Sequence, residues 1–162
     1  ININTCFKLY SKIKEYVGIN KNILDLYCGT GSIGIFVSEN NTVLGIEVNE
    51  YAIKDAIENA KLNNIKNIDF ICGESGKTLN NIKFKPDVII VDPPRAGLSK
   101  EAIDNIFKLS PKQLIYVSCD PMTLVRDLNL LNKHYEIIEL TPYDMFPNTK
   151  HVECLTYMIK KN

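Results

Sequence analysis

The stretch Ile23-Leu24-Asp25-Leu26-Tyr27 runs directly into Cys28-Gly29-Thr30-Gly31-Ser32-Ile33-Gly34. A short apolar strand, a glycine turn and a helix start, in that order, open a βαβ unit. Such a strand needs parallel neighbours, so the remaining chain should alternate strand and helix, and it does. Asn4 to Val17 carries Cys6, Leu9, Tyr10, Ile13, Tyr16 and Val17 on one helical face ahead of the first strand. Val43 to Ile46 predicts a strand ending at Glu47, and Asn49 an N-cap for a helix through Ala52, Ile53, Ala56, Ile57 and Ala60 to Leu62. Ile68 to Ile71, Val88 to Val91 and Leu114 to Val117 predict three more strands. Helices are expected from Lys100 to Leu109, with Ala102, Ile103, Ile106 and Phe107 inward, and through Leu124, Leu128 and Leu131. Two last strands, Tyr135 to Leu140 and Val152 to Ile159, have no helix between them. The expected fold is α/β: a mostly parallel seven-stranded sheet with an antiparallel C-terminal strand and helices on both faces.

A chain of 162 residues, 45% hydrophobic and 23% charged, fits one domain over residues 1–162. No apolar stretch approaches the roughly 20 residues of a membrane span, so no membrane role is expected. The five cysteines are odd in number and scattered, with no CxxC pair. That spacing argues against a metal or cluster site and for a reducing, cytoplasmic setting. Nineteen basic residues balance nineteen acidic ones. Proteins that hold nucleic acid unaided carry a basic face, so an RNA or DNA partner would need most of its grip from elsewhere. The first residue is Ile1 and not a methionine, which suggests a fragment.

Gly29, Gly31 and Gly34 satisfy GxGxxG, and Glu47 follows at a distance suited to a ribose hydroxyl. Read literally, this is a nicotinamide-dinucleotide turn. Two features oppose that reading. Asp25, on the strand before the turn, sits badly beside a pyrophosphate but well beside an amino-acid ammonium group. Strand four ends in Asp92-Pro93-Pro94, which has no task in a dehydrogenase turn. An acid, a glycine turn and a strand-terminal acid suit S-adenosyl-L-methionine instead, within a Rossmann-like methyltransferase fold. Glu47 would take the ribose hydroxyls, and the turn Cys72-Gly73-Glu74-Ser75 would lie near adenine. Gly29, Gly31 and Ser32 would allow close backbone approach to the ligand.

Two apolar runs end in a charged or reactive side chain followed by proline: Val91 into Asp92-Pro93-Pro94-Arg95-Ala96-Gly97, and Val117 into Ser118-Cys119-Asp120-Pro121. In open α/β sheets, chemistry gathers at such carboxyl ends. With Phe146-Pro147-Asn148-Thr149-Lys150-His151-Val152-Glu153, these blocks resemble the catalytic domain of the RNA 5-methyluridine (uracil-C5) methyltransferases, which act on tRNA and ribosomal RNA. The resemblance covers nearly the whole chain. It implies that Cys119 is the nucleophile, Glu153 the general base and Asp92 a group near both uracil and cofactor. It also implies that Tyr27 and Glu47 contact S-adenosylmethionine. One departure is Asp120, where the family more often has Asn. The resemblance implies that the family's cofactor-contacting Gln would fall just before Ile1, and that its RNA-gripping N-terminal region, commonly an OB-fold, would lie outside these residues.

The chemistry explains the residue types. Uracil C5 is a poor nucleophile until a thiolate adds to C6. A base must later remove the C5 proton so that the thiol can leave. The target base must be flipped out or taken from a loop. Of the remaining cysteines, Cys6, Cys28, Cys72 and Cys154 are expected to pack, and His151 to be structural. The two arginines, Arg95 and Arg126, are phosphate contacts or structural bridges, with Asp127 favouring a bridge for Arg126. Two alternatives are a cofactor-binding module without turnover and a methyltransferase for another nucleobase. The second would want an aromatic residue where Arg95 stands.

Overall fold

A computed structural model of the protein describes residues 2–80, 82–149 and 152–162. The elements are α1 (Ile3–Val17), β1 (Asn22–Leu26), α2 (Ser32–Val37), β2 (Thr42–Glu47), α3 (Glu50–Leu62), β3 (Ile68–Cys72), α4 (Ser75–Thr78), β4 (Val88–Val91), α5 (Lys100–Leu109), β5 (Gln113–Ser118), α6 (Pro121–Leu131), β6 (Tyr135–Tyr143) and β7 (Glu153–Lys160). The seven strands form one sheet in the order β3-β2-β1-β4-β5-β7-β6. β7 runs antiparallel to both of its neighbours, and every other pairing is parallel. Strand order reverses between β1 and β4, which opens a crevice at their carboxyl ends.

Both faces of the sheet are buried, and alternate residues of each strand feed opposite cores. Leu24, Leu26, Ile89, Val91, Leu114 and Tyr116 pack under Ile103 and Ile106 of α5 and Leu124, Leu128 and Leu131 of α6. Ile23, Val88, Ile90, Ile115 and Val117 pack under Leu9, Ile13 and Val17 of α1, Ile33 and Val37 of α2 and Ala60 of α3. Helix ends follow from local chemistry. The side chains of Asn2, Asn49, Ser99 and Asp120 cap four helices by accepting from backbone N–H groups one turn on.

Departures from the sequence reading lie at element ends. Tyr27 does not continue β1: its φ of 62° is left-handed and turns the chain out of the strand. The one-turn helix α4 was not anticipated, because four polar residues carry no periodicity. β6 extends to Tyr143, and β7 starts at Glu153 rather than Val152. On α5, Asn105 is buried, while Phe107 sits at the helix flank against His134, ring centroids 4.3 Å apart.

Candidate active site

Three carboxyl-terminal strand ends converge. The Asp92 N–H donates to the Leu26 carbonyl, which draws the end of β4 against β1. The β5–β7 register pairs Ser118 with Cys154, so the next step sets Cys119 beside Glu153. Asp92, Cys119 and Glu153 line one cavity of about 200 Å³, closed by Leu9 and Tyr10 of α1, Ile33 of α2 and Met145 and Phe146 of the β6–β7 loop. The Asn2 N–H donates to the Met145 carbonyl at 2.8 Å, tying the start of α1 to that loop.

The cavity is acidic, and its groups perturb one another. Asp92 is exposed to solvent and lines the cavity. Desolvation, and then the charge of Glu153, push Asp92 up to about 7. The Cys119 thiol is also raised, first by burial and then by Glu153 and Asp92, with Arg95 acting in the opposite direction. Cys119 precedes α6, whose first N–H groups would favour a thiolate. The Asp120 Oδ1 already accepts from the Met122 and Thr123 N–H groups at 2.9 and 3.0 Å, and this holds the Asp120 carboxyl below its ordinary range. One oxygen makes both bonds, so Asp caps here as Asn would.

A second cavity, of about 210 Å³, lies across the Asp92-Pro93-Pro94 segment and is lined by Tyr27, Val48, Glu74, Ser75, Pro94, Gly97 and Ser99. The left-handed turn at Tyr27 delivers its ring there. Glu47, at the end of β2, accepts from the Gly29 N–H (3.1 Å) through Oε2 and from the Asn49 N–H (2.9 Å) through Oε1. Each oxygen keeps a lone pair for a further donor. Gly31, with φ of 80°, opens α2, and an added Cβ would sit 2.9 Å from the Phe70 ring. Ser32 is exposed at the first turn of α2.

Asp25 is the unusual group. It is 1% exposed, and neither carboxylate oxygen has a hydrogen-bond partner among the described residues. Burial, then Asp92 and Glu47, push it up to about 7, and the Gly34 backbone gives only partial relief. A buried, unpartnered carboxyl facing two other acids is costly. The arrangement fits a ligand that brings a cation to Asp25, a pair of hydroxyls to Glu47 and a flat apolar ring to the Tyr27 cavity.

Asp92, Cys119 and Glu153 thus line one cavity and Tyr27 the other, while Asp25 on β1, Gly29, Gly31 and Ser32 in the turn after it and Glu47 at the end of β2 line neither. Cys72 is a correction. Expected to pack inside, it is exposed, its thiol 3.6 Å from the Val48 carbonyl. It is the last residue of the edge strand β3, where no further strand covers it. His151 lies outside the described residues. Arg126 is a bridge: its guanidinium pairs with Asp127 Oδ1 (2.7 Å) and donates to the Ala96 carbonyl (2.7 Å). The buried Asp127 Oδ2 accepts from the Leu98 N–H and the Tyr116 hydroxyl, both at 2.7 Å. The helical-face pattern assigns Tyr10 to the core, whereas the structure places it in the wall of the Cys119 cavity. A helical-face pattern does not distinguish a core wall from a cavity wall.

Comparison with known proteins fits this geometry. The sequence profile of the tRNA (uracil-5-)-methyltransferase family matches residues 3–161. An uncharacterized RNA methyltransferase of Clostridium acetobutylicum is 47% identical over 158 residues, 95% of this chain and 35% of its own length. Another, from Caldanaerobacter subterraneus, is 45% identical over 94% of this chain and 35% of its own length. This chain thus spans about a third of the relatives it matches. Among solved structures, the tRNA (uracil-54, C5)-methyltransferase of Pyrococcus abyssi, in complex with S-adenosyl-L-homocysteine, superposes with a TM-score of 0.84. The two are 36% identical over 94% of this chain and 37% of that one. The N-methyltransferase NodS of Bradyrhizobium japonicum superposes with a TM-score of 0.80 at 16% identity, over 98% of this chain and 88% of that one; this is a likeness of fold alone.

Proposed function

The chain belongs to the tRNA (uracil-5-)-methyltransferase family, and from that premise we propose that it methylates C5 of a uridine in tRNA or ribosomal RNA. The observation that carries the proposal is the single cavity shared by Cys119, Glu153 and Asp92, which come from separate stretches of sequence. No other thiol lines that cavity among the described residues.

In this reading the Cys119 thiolate adds to uracil C6, forming an S–C6 bond and moving the C5=C6 electron pair towards O4. C5 thereby becomes nucleophilic. S-adenosylmethionine, when bound, supplies the electrophilic methyl group. Glu153 then removes the C5 proton, the double bond re-forms and the S–C6 bond breaks, which releases Cys119. Asp92 recognises the uracil edge. With its carboxyl pushed up to about 7, it is partly protonated at neutral pH. The acid form donates to O4, where charge accumulates, and accepts from N3–H, the pairing that a uracil edge requires.

The second cavity would hold the cofactor's adenine against Tyr27, with its ribose hydroxyls reaching Glu47 and its ammonium Asp25, both outside that cavity's lining. Gly29, Gly31 and Ser32 would border its amino-acid end. The mechanism is tested with RNA containing 5-fluorouridine, from which C5 cannot lose a proton. The wild-type protein should form a covalent adduct that survives denaturation, visible as a gel shift, and Cys119→Ala should form none. A persisting adduct in Cys119→Ala would exclude Cys119 as the nucleophile.

A further inference from the structure

Tyr10 does not belong to any of the three motif blocks, yet its side chain lines the cavity of Asp92, Cys119 and Glu153. Its ring is held across the α1–α2 interface by an edge-on contact with Phe36, centroids 5.5 Å apart at 71°. Ser32 lies four residues before Phe36, hence on the same face of α2. The phenol interacts with the side chain of Ser32, which is exposed at the first turn of α2. The charges of Asp92 and Asp25 both act on the phenol, whose residue lines the Cys119 cavity. Burial raises Tyr10 to about 12, so it keeps its proton and stays a donor at neutral pH.

The amino-acid end of S-adenosylmethionine carries a cation and an anion. Asp25 suits the ammonium and repels the carboxylate, so the carboxylate needs donors beside Asp25 but turned away from it. Two hydroxyls meet that condition. We propose that Tyr10, together with Ser32, donates hydrogen bonds to the cofactor's α-carboxylate and so positions the amino-acid end beside the catalytic cavity. This rests on the cofactor reading above and adds to it a residue outside the motif blocks. Tyr10 acts as a positioning residue and takes no part in bond making.

The test is calorimetric titration of the full chain with two ligands. S-adenosylhomocysteine has the amino-acid end; 5′-methylthioadenosine lacks it. Tyr10→Phe keeps the ring packing on Phe36 and removes only the hydroxyl. A hydrogen bond to a charged group predicts about tenfold weaker binding of S-adenosylhomocysteine, with 5′-methylthioadenosine unchanged. Ser32→Ala, at an exposed position away from the ring contact, should repeat the pattern. An equal loss for both ligands in Tyr10→Phe would make Tyr10 a packing residue, and no loss for either would also overturn the proposal. Failure of the wild-type protein to bind S-adenosylhomocysteine would instead overturn the cofactor reading, and this proposal with it.

Discussion

At the scale of single residues, the thiol and the carboxyls of the Cys119 cavity oppose one another. Burial, then the charges of Glu153 and Asp92, push the Cys119 thiol up and so oppose its ionisation. Relieving that repulsion should make it more reactive. At pH 8, iodoacetamide should alkylate Cys119 several-fold faster in Glu153→Gln and in Asp92→Asn than in wild type. Peptide mass spectrometry would read the site and separate it from exposed Cys72. A slower or equal rate would mean that the carboxylates do not set the thiol's acidity. The identities of Cys119, Asp92 and Glu153 were legible in the motif blocks. Their mutual influence was not, because it depends on burial and on which strands are neighbours. The place of Tyr10 in the cavity wall was not legible for the same reason.

At the scale of elements, strands and helices were legible from alternation and capping residues, and α5 was predicted with its observed ends, Lys100 and Leu109. What escaped were features without periodicity: the single turn α4 and the left-handed Tyr27. The clamp on the loop after β4 also escaped. Gly97 has φ of 73°, and a Cβ there would sit 2.5 Å from Asp127 Oδ2 and 2.6 Å from Arg126 Nη2. Gly97→Ala combines a strained backbone with a disrupted buried network and should cost about 2–4 kcal/mol. A thermal melt should fall by roughly 5–15 °C, with weaker S-adenosylhomocysteine binding, because Gly97 lines the second cavity. An unshifted melt would mean that the clamp yields without cost.

At the scale of the molecule, the site is built at the expense of stability. Asp25 ordinarily ionises near 3.8 and is raised to about 7 in the fold. Its contribution to stability is therefore fully present below about pH 4 and is lost as pH rises through 7. A shift of this size corresponds to on the order of 4 kcal/mol by pH 8. Asp25→Asn does not titrate, so its melting temperature should gain on wild type by several degrees between pH 5 and pH 8. The same variant should bind S-adenosylhomocysteine more weakly, having lost the partner for its ammonium. A gap between variant and wild type that narrows with rising pH would contradict the buried-acid account. The balance of nineteen basic and nineteen acidic residues belongs to this scale too. It leaves no excess of positive charge for an RNA backbone.

The sequence by itself determined the alternation of strands and helices, the parallel sheet with its antiparallel end, and the motif residues proposed to carry the chemistry. These are local properties, written in periodicity, turn residues and caps. Only the tertiary structure decided which side chains share a cavity. It placed Cys119 beside Glu153 through the β5–β7 register, left Asp25 without a partner, tied Arg126 to Asp127 and the loop after β4, and brought Tyr10 to the wall of the site. The physical reason is that pairing across a sheet and burial between layers depend on residues distant in the chain, and no local pattern encodes them.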